Sequence, residues 1–286
     1  MGVAGLVVLK KRIKSIESTK KLTKAMALVA TSKLKKVRVA LYTNKTYFKS
    51  YKETMDEVIP ALPKDNRYMQ KNESKQKLII VITSDMGMCG AYNNNVIGQL
   101  RDATADKTKE YKLLVLGQKG IVLCKRFNFE MVNYDMKLSD VPTLSQAKNI
   151  FEFAFGMFSR GEVGEVSVVY TWLKNAIVKE PRELKILPLE FNSDKSDKIN
   201  EDEFDIEGNE EDLIESIVPS YCSAMMLNAM MNSKASEQSN RMETMNSATR
   251  NADDLISGLK LKYNRIRQGA ITQEISEIVG GSEAQK

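Results

Sequence analysis

The sequence contains no histidine, which excludes His-based triads, imidazole proton transfer and His-ligated metals. Its three cysteines, Cys89, Cys124 and Cys222, are far apart and none belongs to a CxxC pair. Such spacing supplies neither a disulfide framework nor a zinc site, and it suits a reducing compartment. No apolar run approaches the roughly 18 to 20 residues needed to span a bilayer. The start, MGVAGLVVLKKR, carries its basic residues after the apolar stretch, the reverse of a secretory signal. A basic transit peptide is not expected either, because the helical pattern continues far past any plausible cleavage point. Acids are scarce in one place: across residues 10–38, Glu17 alone opposes a long series of Lys and Arg. That stretch also lacks an aromatic residue, so nothing in it can stack on a base, although an acidic partner is implied.

What is present is periodic. Residues 6–59 contain no Gly or Pro. Alternating three- and four-residue steps pick out Leu6, Leu9, Ile13, Ile16, Lys20, Thr23, Ala27, Ala30, Leu34, Val37, Leu41, Asn44, Phe48, Tyr51, Met55 and Val58. An apolar repeat averaging 3.5 residues predicts a left-handed coiled coil, here a helix roughly 80 Å long that Pro60 and Pro63 end. Met242, Met245, Thr249, Ala252, Ile256, Leu259, Tyr263, Ile266 and Ala270 repeat the pattern near the other end. There Pro219 reads as a helix start and Gly280 with Gly281 as its stop. Small seam residues let two backbones approach closely, so the two ends are expected to pair antiparallel.

The middle changes period. LIIVI at 78–82, LLVL at 113–116 and VSVVY at 166–170 have the length of buried strands, and helix-like stretches near 94–104, 119–127 and 144–159 alternate with them. This predicts a mainly parallel sheet with covering helices, and residues 183–190, after the turn-like KEPRE, add a hairpin-paired edge strand. The acidic stretch 194–215 reads as a surface loop. The expected organisation is an N-terminal coiled-coil helix (1–60), a linker (61–76), a central α/β domain (77–193), an acidic loop and connector (194–218) and a C-terminal coiled-coil helix (219–286).

The stretch VITSDMGMCGAYNNN, residues 81–95, has the strand, glycine-rich turn and helix of many phosphate-binding proteins. It lacks the spacing, lysine and hydroxyl of GxxxxGK[ST], and GxGxxG fails as well. Asp85 has no second carboxylate close in sequence to share a cation, and Cys89 has no histidine to activate it. The turn, with Asp85, Gly87, Cys89 and Gly90, is therefore expected to be a tight structural corner that also offers a partner contact. No catalytic residue, cofactor or metal site is expected, and the methionines between 225 and 245 read as adaptable packing.

Three blocks carry a family resemblance: LKKRIKSIESTKKLTKAMALVATSKLKK (9–36), ITSDMGMCGAYNNNV (82–96) and ASEQSNRMETMNSATRNADDLISGLKLKYNRIRQGAITQEISEIVGG (235–281). In order and over nearly the whole chain they resemble the gamma subunit, the central rotor shaft, of F-type ATP synthases. The resemblance implies an α/β fold class: a long antiparallel two-helix coiled coil of the terminal helices plus a central Rossmann-like domain. It implies a non-catalytic subunit that couples proton flow to ATP synthesis or hydrolysis. The implied partners are the alpha and beta subunits of F1, with catalysis on beta, the epsilon subunit and the c-ring of Fo. The implied place is the cytoplasmic face of a bacterial membrane, peripheral, or the corresponding organellar face. By motif, Lys24 and Met26 in TKAM, Arg241 in NRMET, and Arg267, Gln268 and Thr272 in RIRQGAIT are expected to touch beta-subunit loops. The sequence departs from the family's usual residues at Met86, Ala91, Leu28 and Gly269. A shaft of a paralogous F1-like motor, a nucleotide-dependent enzyme built on the turn and a basic-arm nucleic-acid adaptor are the competing readings.

Overall fold

The computed structural model describes residues 3–58, 66–70, 72–106, 108, 110–175, 177–189 and 210–283. The expected acidic loop at 194–209, the helix-ending prolines at 60 and 63 and most of the final SEAQK lie outside them. The elements run α1 (Val3–Val58), β1 (Gln76–Ile82), α2 (Tyr92–Ala103), β2 (Glu110–Leu116), α3 (Gln118–Arg126), α4 (Leu144–Ser159), β3 (Glu165–Leu173), β4 (Lys179–Leu187) and α5 (Glu210–Glu283). Two compact units divide the chain, Met1–Ala30 with Arg241–Lys286, and Thr31–Asn240.

In the first unit α1 and α5 pair antiparallel. Lys20 bonds Asp253, Glu17 meets Lys260 at 3.6 Å, and the hydroxyls of Thr23 and Thr249 lie 2.8 Å apart. The partner number on α5 falls as the number on α1 rises, which fixes the direction. Along the seam Ala27 is 4% exposed, Ala30 1% and Ala252 5%, flanked by buried Met245 and Ile256. The 3.5-residue repeat is thus realised with small and polar side chains at this level.

The second unit holds the sheet, in the order β2-β1-β3-β4. β1 pairs parallel with β2 and β3, and β3 pairs antiparallel with β4. Alternate residues of β1 face opposite cores. Leu78, Ile80 and Ile82 join the larger one, with α4 and residues of α1 and α5, whereas Ile79 and Val81 join the smaller one beneath α2 and α3. Coverage on both faces explains why this strand is apolar without alternation. Helix α4 starts on a capping box in which the Thr143 hydroxyl accepts from the Gln146 N–H and the Gln146 side chain returns the bond.

Three local expectations are corrected. KEPRE is not a turn: it lies within β4, and Pro181 is accommodated because β4 is an edge strand. Helix α5 begins at Glu210, so residues 210–218 are helical rather than connector and Pro219 is interior. Its cost of about 3 kcal/mol is offset by burial of Ile214 and Val218, each contributing about 1.5 to 3 kcal/mol. Gly280 and Gly281 do not stop the helix, which continues through Glu283.

Candidate functional site

The turn after β1 has two left-handed residues, Met88 (φ 61°) and Gly90 (φ 60°). Gly87 is not in that region, and a Cβ added to it would only touch the Lys119 chain at 3.6 Å. Of the two glycines in the motif, Gly90 alone meets a conformational need. Behind the turn, Ser84 and Asn93 lock together: the Ser84 N–H donates to Asn93 Oδ1 (3.0 Å), and Asn93 Nδ2 donates to Ser84 Oγ (2.8 Å) and to Cys89 Sγ (3.4 Å). Cys89 is 2% exposed. It packs as a small apolar residue within this network.

A phosphate at such a corner would need the free N–H groups of a helix N-terminus. The turn itself opens α2, whose N-terminus carries no side-chain cap; it is the neighbouring helix α3, beyond β2, that has its own partners for these groups. The Gln118 N–H donates to Asp85 Oδ1 (3.3 Å), the Lys119 N–H to Ser84 O (3.0 Å), and the Gly120 N–H to Thr83 Oγ1 (3.0 Å). Thr83 fills the remaining space. A Cβ on Gly117, at φ +104°, would come within 2.5 Å of Thr83 O, and one on Gly120 within 2.3 Å of Thr83 Oγ1. The crevice where an open α/β sheet would hold a ligand is occupied by Thr83, Ser84 and Asp85 themselves. Asp85, half-buried, acts as a cap for α3.

The turn's outer surface is different. Met86 and Met88 are 60% and 56% exposed, two flexible thioethers on a rigid corner. The other thiols are interior. Burial pushes Cys124 up to about 11 and raises Cys222 further, so neither is a thiolate at neutral pH. Among the described residues no group of His, Cys, Asp and Glu could hold a metal, and no helix is long and apolar enough to cross a membrane.

Five of the six residues expected to meet a partner occupy two levels of the helical pair. On α1, Lys24 is exposed and Met26 half-buried; on α5, Arg267, Gln268 and Thr272 are exposed, with Thr272 Oγ1 donating to Gln268 O at 3.0 Å. Thr23 lies level with Thr249, so Arg267 to Thr272 stand about 30 Å further along the axis than Lys24. Arg241 differs from the rest, since it is only 7% exposed. Along the helical pair the surface is mixed. Basic residues of 10–38 alternate with Leu22, Leu28 and Val29, each more than half exposed, while Leu261, Ile275 and Ile278 are exposed on α5.

Sequence reasoning missed a buried cation. Lys77, the second residue of β1 and followed only by apolar residues, is 7% exposed, and its ammonium bonds Glu165 (2.7 Å) and Glu183 (2.6 Å). Burial alone lowers its pKa, but the two carboxylates outweigh burial and the net shift is upward. It also missed the buried polar run Asn232 to Gln238 in α5. The signal was present as NSKASEQ inside a helical pattern, but the partners of Asn232, Ser233 and Ser236 outside the helix come from elements far away in sequence.

Long terminal helices paired antiparallel, with an α/β domain in which Thr83, Ser84 and Asp85 already take up the N-terminus of α3, define a helical-stalk class of protein. Residues 5–285 match the family model described as ATP synthase. The chain is 46% identical over 287 residues to an ATP synthase gamma chain of Clostridium perfringens, and 42% identical over 288 residues to that of Clostridium botulinum, with the whole of each chain covered. Among solved structures, one of Euglena gracilis mitochondrial ATP synthase, OSCP/F1/c-ring, has a similar fold. It aligns with a TM-score of 0.73 at 18% identity, over 99% of this chain and 95% of that one. The chain belongs to the ATP synthase gamma-chain family.

Proposed function

We propose that the chain is the non-catalytic central-stalk rotor subunit of an F-type ATP synthase, with catalysis on the beta subunits. The observation that carries this reading is 46% identity to a gamma chain over the full length, together with the antiparallel helix pair. The mechanics are consistent. Two paired helices resist twist better than one, and a seam of alanines and threonines keeps them close. A surface that must slide past its neighbours cannot interlock deeply. Exposed charge contacts of about a kilocalorie or less each can form and exchange as the shaft turns. Exposed leucines and isoleucines among them mark a surface meant to be covered.

The finer assignments extend this reading. Lys24 and Met26 face an acidic loop of the beta subunits, and Arg241, Arg267, Gln268 and Thr272 meet beta-subunit loops, the last three near the far end. The alpha and beta subunits surround the helices, the α/β domain meets the epsilon subunit and the c-ring, the coupling ion is the proton, and the protein sits peripherally at the cytoplasmic face of the membrane. The purified chain is expected to show no ATPase activity and to raise hydrolysis when added to alpha and beta subunits. Unchanged turnover on addition contradicts the proposal.

A further inference from the structure

We infer that a hydrogen-bonded joint between α5 and the free end of β3, built from Asn232, Ser233, Ser236 and Tyr92, locks the C-terminal helix rotationally to the α/β domain. It rests on the rotor reading above and names the residues through which torque passes. β1 pairs with β3 only from Lys77↔Glu165 to Val81↔Val169, whereas β3 runs on to Leu173. The last residues of β3 therefore have no strand beside them on the β1 side. Side chains of α5 take its place. The Thr171 N–H donates to Ser233 Oγ (3.5 Å), the Thr171 carbonyl accepts from Ser236 Oγ (3.3 Å), and the Leu173 N–H donates to Asn232 Oδ1 (3.3 Å). On the opposite edge Thr171 stands across from Pro181. The Thr171 groups that meet α5 face away from that neighbour.

Two further contacts tie the joint to the rest of the sheet. Ser233 Oγ is 2.8 Å from Tyr92 OH, which also reaches Ile82 O, at the end of β1, at 3.5 Å. Asn232 is held by its own Nδ2, which donates to Asn228 O (2.9 Å). All are covered: Ser233 and Ser236 are 0% exposed, Tyr92 1% and Asn232 6%. The preceding helix positions Met226, Ala229 and Met230 are apolar, while buried polar residues continue past the joint to Ser239; the three joint residues of α5, Asn232 to Ser236, span about 6 Å of helix. An apolar interface at this place would let a helix slip or roll at small cost, since hydrophobic contact is non-directional. Hydrogen bonds to fixed strand backbone are directional, and rolling α5 by one residue, about 100°, misaligns all of them together.

The test uses the assembled ATP synthase in sealed vesicles, carrying the triple variant Asn232→Leu, Ser233→Ala, Ser236→Ala. Hydrolysis is measured with the gradient collapsed, and ATP-driven pumping is measured against a rising gradient. The joint predicts unloaded hydrolysis near the unsubstituted level, with the maximal gradient reduced by about twofold or more, because the lost interactions matter only under torque. Ser233→Thr, which keeps the hydroxyl, restores loaded pumping, and Tyr92→Phe gives a smaller loss of the same kind. Equal proportional loss of both activities, or no loss of either, overturns the joint. If the triple variant fails to assemble, Ser236→Ala alone is read by the same two measurements. A complex with the unsubstituted chain that hydrolyses ATP without pumping would instead contradict the rotor reading itself.

Discussion

Replacing Lys77 with Met tests how the sheet is held together. Methionine fills most of the lysine's volume, so the change removes charge rather than packing. It leaves Glu165 and Glu183 facing each other with side chains 21% and 26% exposed. Both bond one ammonium nitrogen, so their oxygens are no more than about 5 Å apart, and at an effective dielectric near 20 their repulsion is about 3 kcal/mol. Partial exposure trims this, giving an expected loss of about 2 to 3 kcal/mol, at the lower end of what breaking a buried ion pair costs. For a chain of this size that is roughly 3 to 5 °C in Tm. The pH dependence has a definite sign. Because the folded pKa of Lys77 is raised, its stabilisation is fully present below the unfolded value of about 10.4 and is lost as pH rises through the folded value. Denaturant titrations across pH 7 to 11.5 should show the difference between the unsubstituted chain and the variant shrinking at the alkaline end. A second substitution, Glu183→Gln, should recover part of the neutral-pH loss. The reasoning fails if Lys77→Met changes stability by less than about 0.5 kcal/mol, or if the double variant is no more stable than the single.

Three further expectations can be checked with the same stability and coupling assays. Gly117→Ala combines a positive φ with a Cβ 2.5 Å from Thr83 O and should cost more than about 3 kcal/mol, whereas Gly258→Ala, in open space on α5, should stabilise by about 1 kcal/mol. Ser167→Ala should be neutral or stabilising by up to about 1 kcal/mol in denaturant titration, because the Ser167 hydroxyl is buried with no hydrogen-bond partner among the described residues. Gln268→Leu should leave the Tm within about 1 °C while lowering coupled ATP synthesis in the assembled complex, since the residue is exposed on its helix.

Much of the architecture was legible because it rests on patterns with one physical meaning. On α1 the seam positions from Leu6 to Met55 are the less exposed ones, through Lys20, Thr23 and Asn44, although those three are polar. The strand cores at 78–82, 113–116 and 166–170 fall within β1, β2 and β3, because a sheet covered on both faces demands unbroken apolar runs. Element ends were less legible. Pro219 and the Gly280 with Gly281 pair are usual boundary signals, yet α5 continues through both, so local propensity was overridden. KEPRE looked like a turn because edge pairing, which makes Pro181 tolerable, is a property of the sheet and not of the segment.

The corner at 81–95 shows the same division. Missing lysine and wrong spacing argued against a phosphate cradle, but the reason the space is closed lies in Thr83 and Asp85 meeting Gly117, Gln118 and Gly120, residues of the next crossover. The Lys77 cluster and the joint of Ser233 with Tyr92 were invisible for that reason too. Each joins elements separated by many tens of residues, and each residue alone reads as an ordinary polar side chain.

The central claim is that this chain turns as a shaft while its partners carry out catalysis. The most direct measurement is single-molecule: fix the hexamer of alpha and beta subunits to a surface, attach a probe to the exposed Lys125 position through an introduced cysteine, and add ATP. The account predicts stepwise rotation in one direction, at a rate that follows hydrolysis. Sustained hydrolysis with the probe stationary, or fluctuating without direction, would contradict it.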